Sequence, residues 1–116
     1  MNIFFWYPKC STCQKAKKFL DQKQISYQMR NIKEQPLTSC EIQELLQKYK
    51  IELKKLWNTS GILYREKNLK EALQTMSDDQ KIELLASDGM LVKRPILIGK
   101  DRVWIGFREK EWEEIK

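Results

Sequence analysis

Histidine is absent from this sequence of 116 residues, and glycine and proline are scarce, with four and three residues. Without histidine, the chain cannot use Cys–His or Ser–His catalysis, and it lacks a common ligand of zinc and haem sites. The sequence also has no internal repeat, low-complexity tract or linker. A chain of this length is expected to form a single domain over residues 1–116.

Long apolar runs are missing too, since none approaches the about 20 residues that a membrane span requires. The first residues, MNIFFWYPKC, lack the basic start and the small-residue cleavage site of a signal peptide. We therefore expect a cytoplasmic protein without membrane contacts. In the cytoplasm, the three cysteines are expected to be reduced, catalytic or redox-sensing rather than paired in a structural framework.

The net charge of +6 comes from 22 basic and 16 acidic residues. Such an excess could attract nucleic acid, an acidic partner surface or a small oxyanion. Most of the lysines lie among glutamates on predicted helix faces, which is typical of a solvated surface. No basic run is interleaved with aromatic residues, so we expect no direct binding of nucleic acid.

The first part of the chain has the pattern of a strand, a helix and a second strand. Residues 2–7 are aromatic and β-branched and stop at Pro8, which predicts a buried strand. Residues 11–23 carry apolar side chains at helical spacing, and residues 25–32 alternate apolar and polar side chains. This order predicts two parallel strands joined by a right-handed crossover.

The rest of the chain predicts a helical insertion followed by two strands and a helix. The insertion spans about residues 38–90 and contains capping boxes at 38–41 and 77–80. Apolar runs at 96–99 and 102–106 flank a turn and predict a hairpin, and residues 108–116 predict a helix. The complete order indicates an α/β protein of thioredoxin-like fold with a four-stranded mixed sheet.

A CxxC motif, Cys10 to Cys13, joins the first predicted strand to the first predicted helix. A cysteine at a helix N-terminus faces unsatisfied backbone N–H groups and the positive end of the helix dipole, which favour the thiolate. We therefore expect Cys10 to have a lowered pKa and to act as the nucleophile. Cys13 lies one helical turn further in, where it could resolve a mixed disulfide formed on Cys10.

The CxxC motif has two other interpretations. A CxxC can be half of a zinc site, but Cys40 alone cannot complete the tetrahedron. Both cysteines of the motif could instead be buried and inert, since free cysteine packs well. Their position between a strand and a helix favours the redox role, whereas Cys40 lies in a capping-box turn and has no assigned role.

The second candidate feature is Arg94-Pro95, directly before the third predicted strand. A proline in this position often follows a cis peptide bond, so we expect the Arg94–Pro95 bond to be cis. In a thioredoxin-like fold this turn faces the active cysteine, where Arg94 would direct its guanidinium at an oxyanion or a thiolate. A surface arginine before a strand is equally compatible with the sequence.

The segments YPKCSTCQKAKKFL and LVKRPILI, together with NTSGILYRE and LLASDGMLVKRPI, resemble the ArsC/Spx family. This family contains glutaredoxin-linked arsenate reductases and Spx-type transcription regulators, and the resemblance covers essentially the whole chain. It implies a thioredoxin-like fold with a helical insertion, a catalytic Cys10, and Arg94 in contact with the oxyanion. It also implies no bound cofactor, with glutathione and glutaredoxin, or thioredoxin, as electron donor.

The chain departs from the reductase pattern around the oxyanion. Arsenate reductases of this type use three arginines, of which Arg94 is present, while Asn58 and Phe107 stand at the other two positions. Arg65 and Arg108 are near these positions but out of register. The reductases also follow the cysteine with G-T-S-R, where this chain has S-T-C-Q. These differences predict weak arsenate reduction.

The preferred function is therefore a thiol-dependent oxidoreductase that acts on a small oxyanion or a disulfide. Cys10, Cys13 and Arg94 would be its catalytic residues. The alternative is a redox-sensing regulator that docks on the C-terminal domain of the RNA polymerase α subunit. Spx-type regulators dock through a glycine-containing region, and the comparable residues 48–55 have no glycine, so the regulator ranks second.

Overall fold

The computed structural model of the protein describes residues 2–115. In chain order its α-helices and strands are β1 (Asn2–Trp6), α1 (Ser11–Gln22), β2 (Tyr27–Asn31), α2 (Ser39–Gln47), α3 (Ile62–Glu66), α4 (Leu69–Ala72), α5 (Asp78–Ser87), β3 (Ile96–Ile98), β4 (Val103–Ile105) and α6 (Glu109–Trp112). Short 3-10 helices occupy Leu53–Leu56, Leu73–Thr75 and Gly89–Leu91. No helix within the described range is long and apolar enough to cross a membrane.

The four strands form one mixed sheet in the order β2-β1-β3-β4. β1 runs parallel to β2 and antiparallel to β3, and β3 runs antiparallel to β4. Phe4 of β1 lies opposite Met29 of β2 and opposite Leu97 of β3. The sheet and the helical segment between β2 and β3 confirm the predicted α/β thioredoxin-like fold.

Most elements lie within a few residues of their predicted bounds, and the differences have local causes. β2 begins at Tyr27 rather than at residue 25, because Gln24 has a φ of 57° and the Ile25 N–H bonds back to Leu20 at 3.0 Å. The last helix is shorter than the predicted range 108–116. The predicted end of that helix, Lys116, lies outside the described residues.

One compact unit contains the sheet with α1 and α6. Its core is a cluster of aromatic and aliphatic side chains: Phe4, Ala16, Phe19, Leu20, Leu97, Trp104, Trp112 and Ile115. Three of these belong to α1, which buries the apolar face that the spacing predicted. Burial of each large apolar side chain is worth about 1.5–3 kcal/mol, so this cluster anchors α1 and the loop before it.

The second compact unit is Ile32–Lys93, in which α2 packs against α5. Both predicted capping boxes are present. The Thr38 hydroxyl accepts the Glu41 N–H at 3.1 Å, and the Thr38 N–H donates to the Glu41 carboxylate at 2.8 Å. Ser77 and Gln80 make the same pair of bonds at 3.2 and 2.9 Å. Each box satisfies two backbone N–H donors at the start of its helix.

Candidate functional site

Cys10 lies between β1 and α1 and is the N-cap residue of α1. Its backbone is extended, with φ −91° and ψ 115°, and its N–H donates to the Tyr7 carbonyl at 3.0 Å. The Cys10 Sγ accepts the backbone N–H of Cys13 at 3.4 Å, a bond that a serine or aspartate oxygen usually makes at this position. The half-exposed sulfur is thereby held against the positive end of the helix.

The surroundings of Cys10 lower its pKa below the ordinary value of 9.0. Partial burial of the Cys10 thiol is the largest single effect, and it raises the pKa because it disfavours the charged form. Hydrogen bonds from the Cys13 thiol and the Cys13 backbone N–H favour the thiolate, as do the charge of Arg94 and a hydrogen bond from it. These interactions together outweigh burial, so Cys10 is the more acidic thiol of the motif.

Cys13 is buried in the first turn of α1, and its pKa is raised to about 12. Burial is the largest cause, and the hydrogen bond and the charge of Cys10 raise this pKa further. The backbone of Tyr7 and the charge of Arg94 act in the opposite direction without cancelling these effects. Cys10 and Cys13 are both thiols in this structure, so the motif is a reduced dithiol whose two members differ in acidity.

Arg94 lies directly before β3, and its peptide bond to Pro95 is cis, as predicted. The Arg94 guanidinium carbon lies 5.6 Å from the centroid of the Tyr7 ring, and the Arg94 Nε atom is buried. Its charge and its hydrogen bond both act on the Cys10 thiolate. The structure therefore brings together the three residues that the sequence selected, Cys10, Cys13 and Arg94.

Tyr7 belongs to the same cluster, although it is not among the predicted site residues. Its ring faces Arg94, its carbonyl accepts the Cys10 N–H, and its backbone interacts with the Cys13 thiol. A signal for this role was present, because Tyr7 is the aromatic residue that directly precedes the proline of the cysteine loop. The loop is closed further by Gln14, whose side chain donates to the Pro8 carbonyl at 2.6 Å.

Aromatic packing occupies the position where the resemblance implies a third arginine. The Phe107 ring lies edge-on to Phe19 and to Trp112, with centroids 5.6 and 5.1 Å away. The neighbouring Arg108 has a side chain that is 76% exposed and pairs with Glu111 at 3.8 Å. This part of the chain therefore contributes hydrophobic packing and a surface ion pair.

In the second unit, Asn58 is held by local hydrogen bonds. Its backbone N–H donates to the Leu91 carbonyl at 2.8 Å, and its side-chain amide donates to the Met90 carbonyl at 3.5 Å. Arg65 donates to the Ser60 carbonyl at 3.0 Å. Both side chains thus stabilise the turn that begins at Asn58.

Cys40 is exposed near the start of α2. Across residues 2–115, no group of three or more cysteine or acidic side chains is placed to hold a metal ion. The described residues therefore give no support to a zinc site built on the CxxC motif.

Comparison with known proteins places the chain among ArsC-like sequences. The model of the ArsC family matches residues 5–115. The Bacillus subtilis (strain 168) protein YusI is 50% identical over 111 residues, which are 96% of this chain and 94% of that protein. The global transcriptional regulator Spx of Listeria monocytogenes (strain F2365) is 31% identical over 111 residues, which are 96% of this chain and 83% of the regulator.

Solved structures agree with this placement. An ArsC family related protein from Bacteroides fragilis superposes with a TM-score of 0.93 at 42% identity, covering 99% of this chain and 97% of that one. A structure described as a possible arsenate reductase from Streptococcus mutans UA159 has a TM-score of 0.87 at 42% identity, covering 97% and 98%. The similarity in sequence and in structure thus extends over nearly the whole chain.

Proposed function

Because the chain belongs to the ArsC family, we propose that it is a thiol–disulfide oxidoreductase with Cys10 as its nucleophile. The observation that carries this proposal is the unequal acidity of two adjacent thiols. The Cys10 sulfur is half-exposed, accepts the Cys13 N–H at 3.4 Å and interacts with Arg94, whereas Cys13 is buried. A thiolate at the surface beside a protonated thiol is what the first step of thiol–disulfide exchange requires.

In the first step, the Cys10 thiolate attacks one sulfur of a disulfide R–S–S–R′. A bond forms between the Cys10 Sγ and the SR sulfur, the substrate S–S bond breaks, and R′S⁻ leaves. The hydrogen bonds from Cys13 and the charge and hydrogen bond of Arg94 lower the Cys10 pKa and so favour its thiolate before the attack. The planar guanidinium of Arg94 has several N–H donors, so it can also stabilise the negative charge of the leaving group.

In the second step, Cys13 resolves the mixed disulfide. Its thiol proton passes to the departed thiolate or to water, and its sulfur attacks the Cys10 Sγ. The Cys10–Cys13 disulfide forms, RS⁻ leaves, and the substrate has gained the two electrons that the protein has lost. Formation of the mixed disulfide removes the charge and the hydrogen bond of Cys10 that raise the pKa of Cys13, although burial continues to raise it. Cys13 therefore becomes more acidic at the step in which it acts.

A thiol donor must then reduce the Cys10–Cys13 disulfide. Two glutathione molecules can supply the two electrons and leave as glutathione disulfide, with glutaredoxin as the catalyst of the exchange. The dithiol of thioredoxin can supply the same two electrons and become a disulfide itself. We propose one of these thiol systems as the electron donor, with no cofactor bound to the chain.

We propose a disulfide rather than arsenate as the main substrate. Arsenate binding by three arginines depends on charge-assisted hydrogen bonds, each worth about 1.5–3 kcal/mol. The position of Phe107 supplies ring packing, and Asn58 supplies an amide that bonds Met90. Arg94 can stabilise the single negative charge of the Cys10 thiolate. One arginine provides fewer charge-assisted hydrogen bonds to arsenate than the three arginines of the reductases would.

A coupled assay tests this proposal. Purified protein is given cystine as substrate with glutathione, glutaredoxin and glutathione reductase, and NADPH oxidation is followed. Cys10→Ser should abolish the turnover that the protein adds. Cys13→Ser incubated with cystine alone, without glutathione or glutaredoxin, should accumulate a mixed disulfide on Cys10 that mass spectrometry detects. In the coupled assay Cys40→Ser should match the wild type. Full activity of Cys10→Ser would refute the proposal.

A redox-sensing regulator is the second candidate, because the chain is 31% identical to Spx over 111 residues and has a reduced pair of nearby cysteines, Cys10 and Cys13. In that case, formation of the Cys10–Cys13 disulfide would change a surface that docks on the RNA polymerase α subunit. A pull-down of the purified α subunit, with the reduced and the oxidised protein compared, separates the two candidates. Redox-dependent capture without turnover in the coupled assay would favour the regulator.

A further inference from the structure

Tyr7 contacts all three of the proposed site residues, Cys10, Cys13 and Arg94. Its carbonyl accepts the Cys10 N–H at 3.0 Å, and its backbone interacts with the Cys13 thiol. Its half-buried ring lies under Arg94, with the guanidinium carbon 5.6 Å from the ring centroid. The backbone contacts would remain with any residue at this position, whereas the contact with Arg94 depends on an aromatic side chain.

The ring contact is of the kind that orients an arginine. A guanidinium within about 6 Å of an aromatic centroid is attracted by the negative face of the ring. Arginine has several rotatable bonds, and fixing its planar fork in one orientation loses conformational entropy. A ring that occupies one face of the guanidinium reduces the number of orientations left, so an N–H edge of Arg94 stays available to the Cys10 sulfur.

We propose that Tyr7 is a positioning residue, whose ring holds the guanidinium of Arg94 against the Cys10 sulfur. This inference rests on the proposed function, since it concerns the same site, but it makes a separate claim. The claim is that the Tyr7 ring acts on Cys10 through Arg94, whose charge and hydrogen bond lower the Cys10 pKa. A ring can also act on a thiol directly by burying it, so the test must compare the effect of the ring with and without Arg94.

The test is a titration of the Cys10 thiolate, followed by its ultraviolet absorbance in a Cys40→Ser background. Tyr7→Leu removes the aromatic face, and we expect the titration midpoint to move to higher pH, in the same direction as in Arg94→Ala. At a pH below the midpoint, alkylation of Cys10 should slow by about two- to fivefold, the size of an exposed cation–π contact. Tyr7→Phe keeps the ring and should restore the wild-type midpoint.

A double-mutant cycle separates positioning from general support of the loop. In the Arg94→Ala background, Tyr7→Leu should leave the midpoint where Arg94→Ala alone places it. Arg30→Ala is the matched control, because Arg30 also stacks on a β1 ring, with its guanidinium carbon 4.8 Å from the Phe5 centroid. It should leave the Cys10 titration unchanged. Circular dichroism of each variant checks that it is folded.

Two results would overturn the inference. One is an unchanged midpoint in folded Tyr7→Leu, and the other is an equal shift of the midpoint with and without Arg94. Neither depends on turnover, so the inference can fail while the oxidoreductase activity stands. Conversely, if the coupled assay shows no turnover, the role of Tyr7 is still tested by the titration of Cys10 alone.

Discussion

The backbone N–H of Gly106 donates to the carbonyl of Pro95 at 2.8 Å. This bond ties the residue after β4 to the residue that follows Arg94. Gly106 has a φ of 75°, a left-handed conformation in which a residue with a Cβ atom would be strained. Its carbonyl also accepts the Trp112 indole N–H at 3.0 Å, so a single glycine links the arginine turn to the core.

Gly106→Ala should therefore lower the free energy of unfolding by about 1–2 kcal/mol, the strain of a left-handed non-glycine residue. Urea denaturation followed by circular dichroism measures this change. Gly106→Asn is the control, because asparagine tolerates the left-handed region and should lose less stability. An alanine variant as stable as the wild type would show that the strain is relieved by a change of backbone.

Limiting iodoacetamide near neutral pH should modify Cys10 before Cys13 and Cys40, as read by mass spectrometry of peptides. The reason is that Cys10 combines partial exposure with a lowered pKa, whereas burial and Cys10 raise the pKa of Cys13. As the pH falls below the Cys10 pKa, the thiolate fraction and the rate should drop about tenfold per unit. Earlier modification of Cys40 would contradict the assignment of Cys10 as nucleophile.

Cys13 makes the stability of the reduced protein depend on pH in the alkaline range. Its pKa is about 12 in the folded chain against an ordinary value of 9.0, so above pH 9.0 the unfolded chain binds fewer protons than the folded one. The contribution of the protonated Cys13 thiol to the free energy of unfolding is complete below pH 9.0 and is lost as the pH rises towards about 12. The free energy of unfolding should thus decline over this range.

Urea unfolding at several alkaline pH values checks this decline, with Cys13→Ala as the comparison. Other groups also titrate there, so the informative quantity is the difference in slope between the two proteins. Cys13→Ala should give the shallower slope, even if the loss of packing lowers its stability at every pH. Parallel slopes would mean that Cys13 ionises equally in the folded and unfolded chains.

The wild-type protein should reduce arsenate poorly, and Asn58→Arg should improve its arsenate affinity. The resemblance implies an arginine at this position in the reductases, and a charge-assisted hydrogen bond from a guanidinium to an oxyanion is worth about 1.5–3 kcal/mol. Two missing arginines correspond to about two to four powers of ten in oxyanion binding. Turnover of arsenate in the coupled glutathione and glutaredoxin assay measures the effect.

Arg94→Ala is the opposing control and should weaken arsenate reduction further. Phe107→Arg is a less informative variant, because it removes ring contacts with Phe19 and Trp112. Phe107 is partly buried against the core cluster, so the loss of this packing should lower stability and mask a gain in arsenate affinity. Wild-type turnover equal to that of a dedicated arsenate reductase would show that the two arginines are dispensable in this chain.

The elements of the fold could be predicted because each has a local signal. The apolar face of α1 and the capping boxes at Thr38 and Ser77 are encoded within a few residues of one another. The cysteine site could be located for the same reason, since the position of Cys10 at a helix start is itself local. Its pairing with Arg94 followed from the fold and the family resemblance.

The contribution of Tyr7 could not be predicted in this way. Its contact with Arg94 joins residues far apart in the sequence, and the distance between ring and guanidinium depends on how β1 and β3 align. The start of β2 was also misplaced, because the positive φ of Gln24 has no strong sequence signal in a residue other than glycine or asparagine. Both features arise from tertiary geometry rather than from periodicity.

Because the Cys10 sulfur caps α1, the stability of this helix is linked to the reduction potential of the Cys10–Cys13 pair. The reduced Cys10 sulfur accepts the Cys13 N–H, whereas a sulfur bonded to another sulfur is a weaker acceptor, so oxidation should weaken the cap. Complete loss of an N-cap costs about 0.5–2 kcal/mol, so in a two-electron couple the effect is at most about 10–40 mV. The cap thereby raises the reduction potential of the Cys10–Cys13 pair. The bond that lowers the Cys10 pKa should therefore also make the reduced pair a weaker reductant.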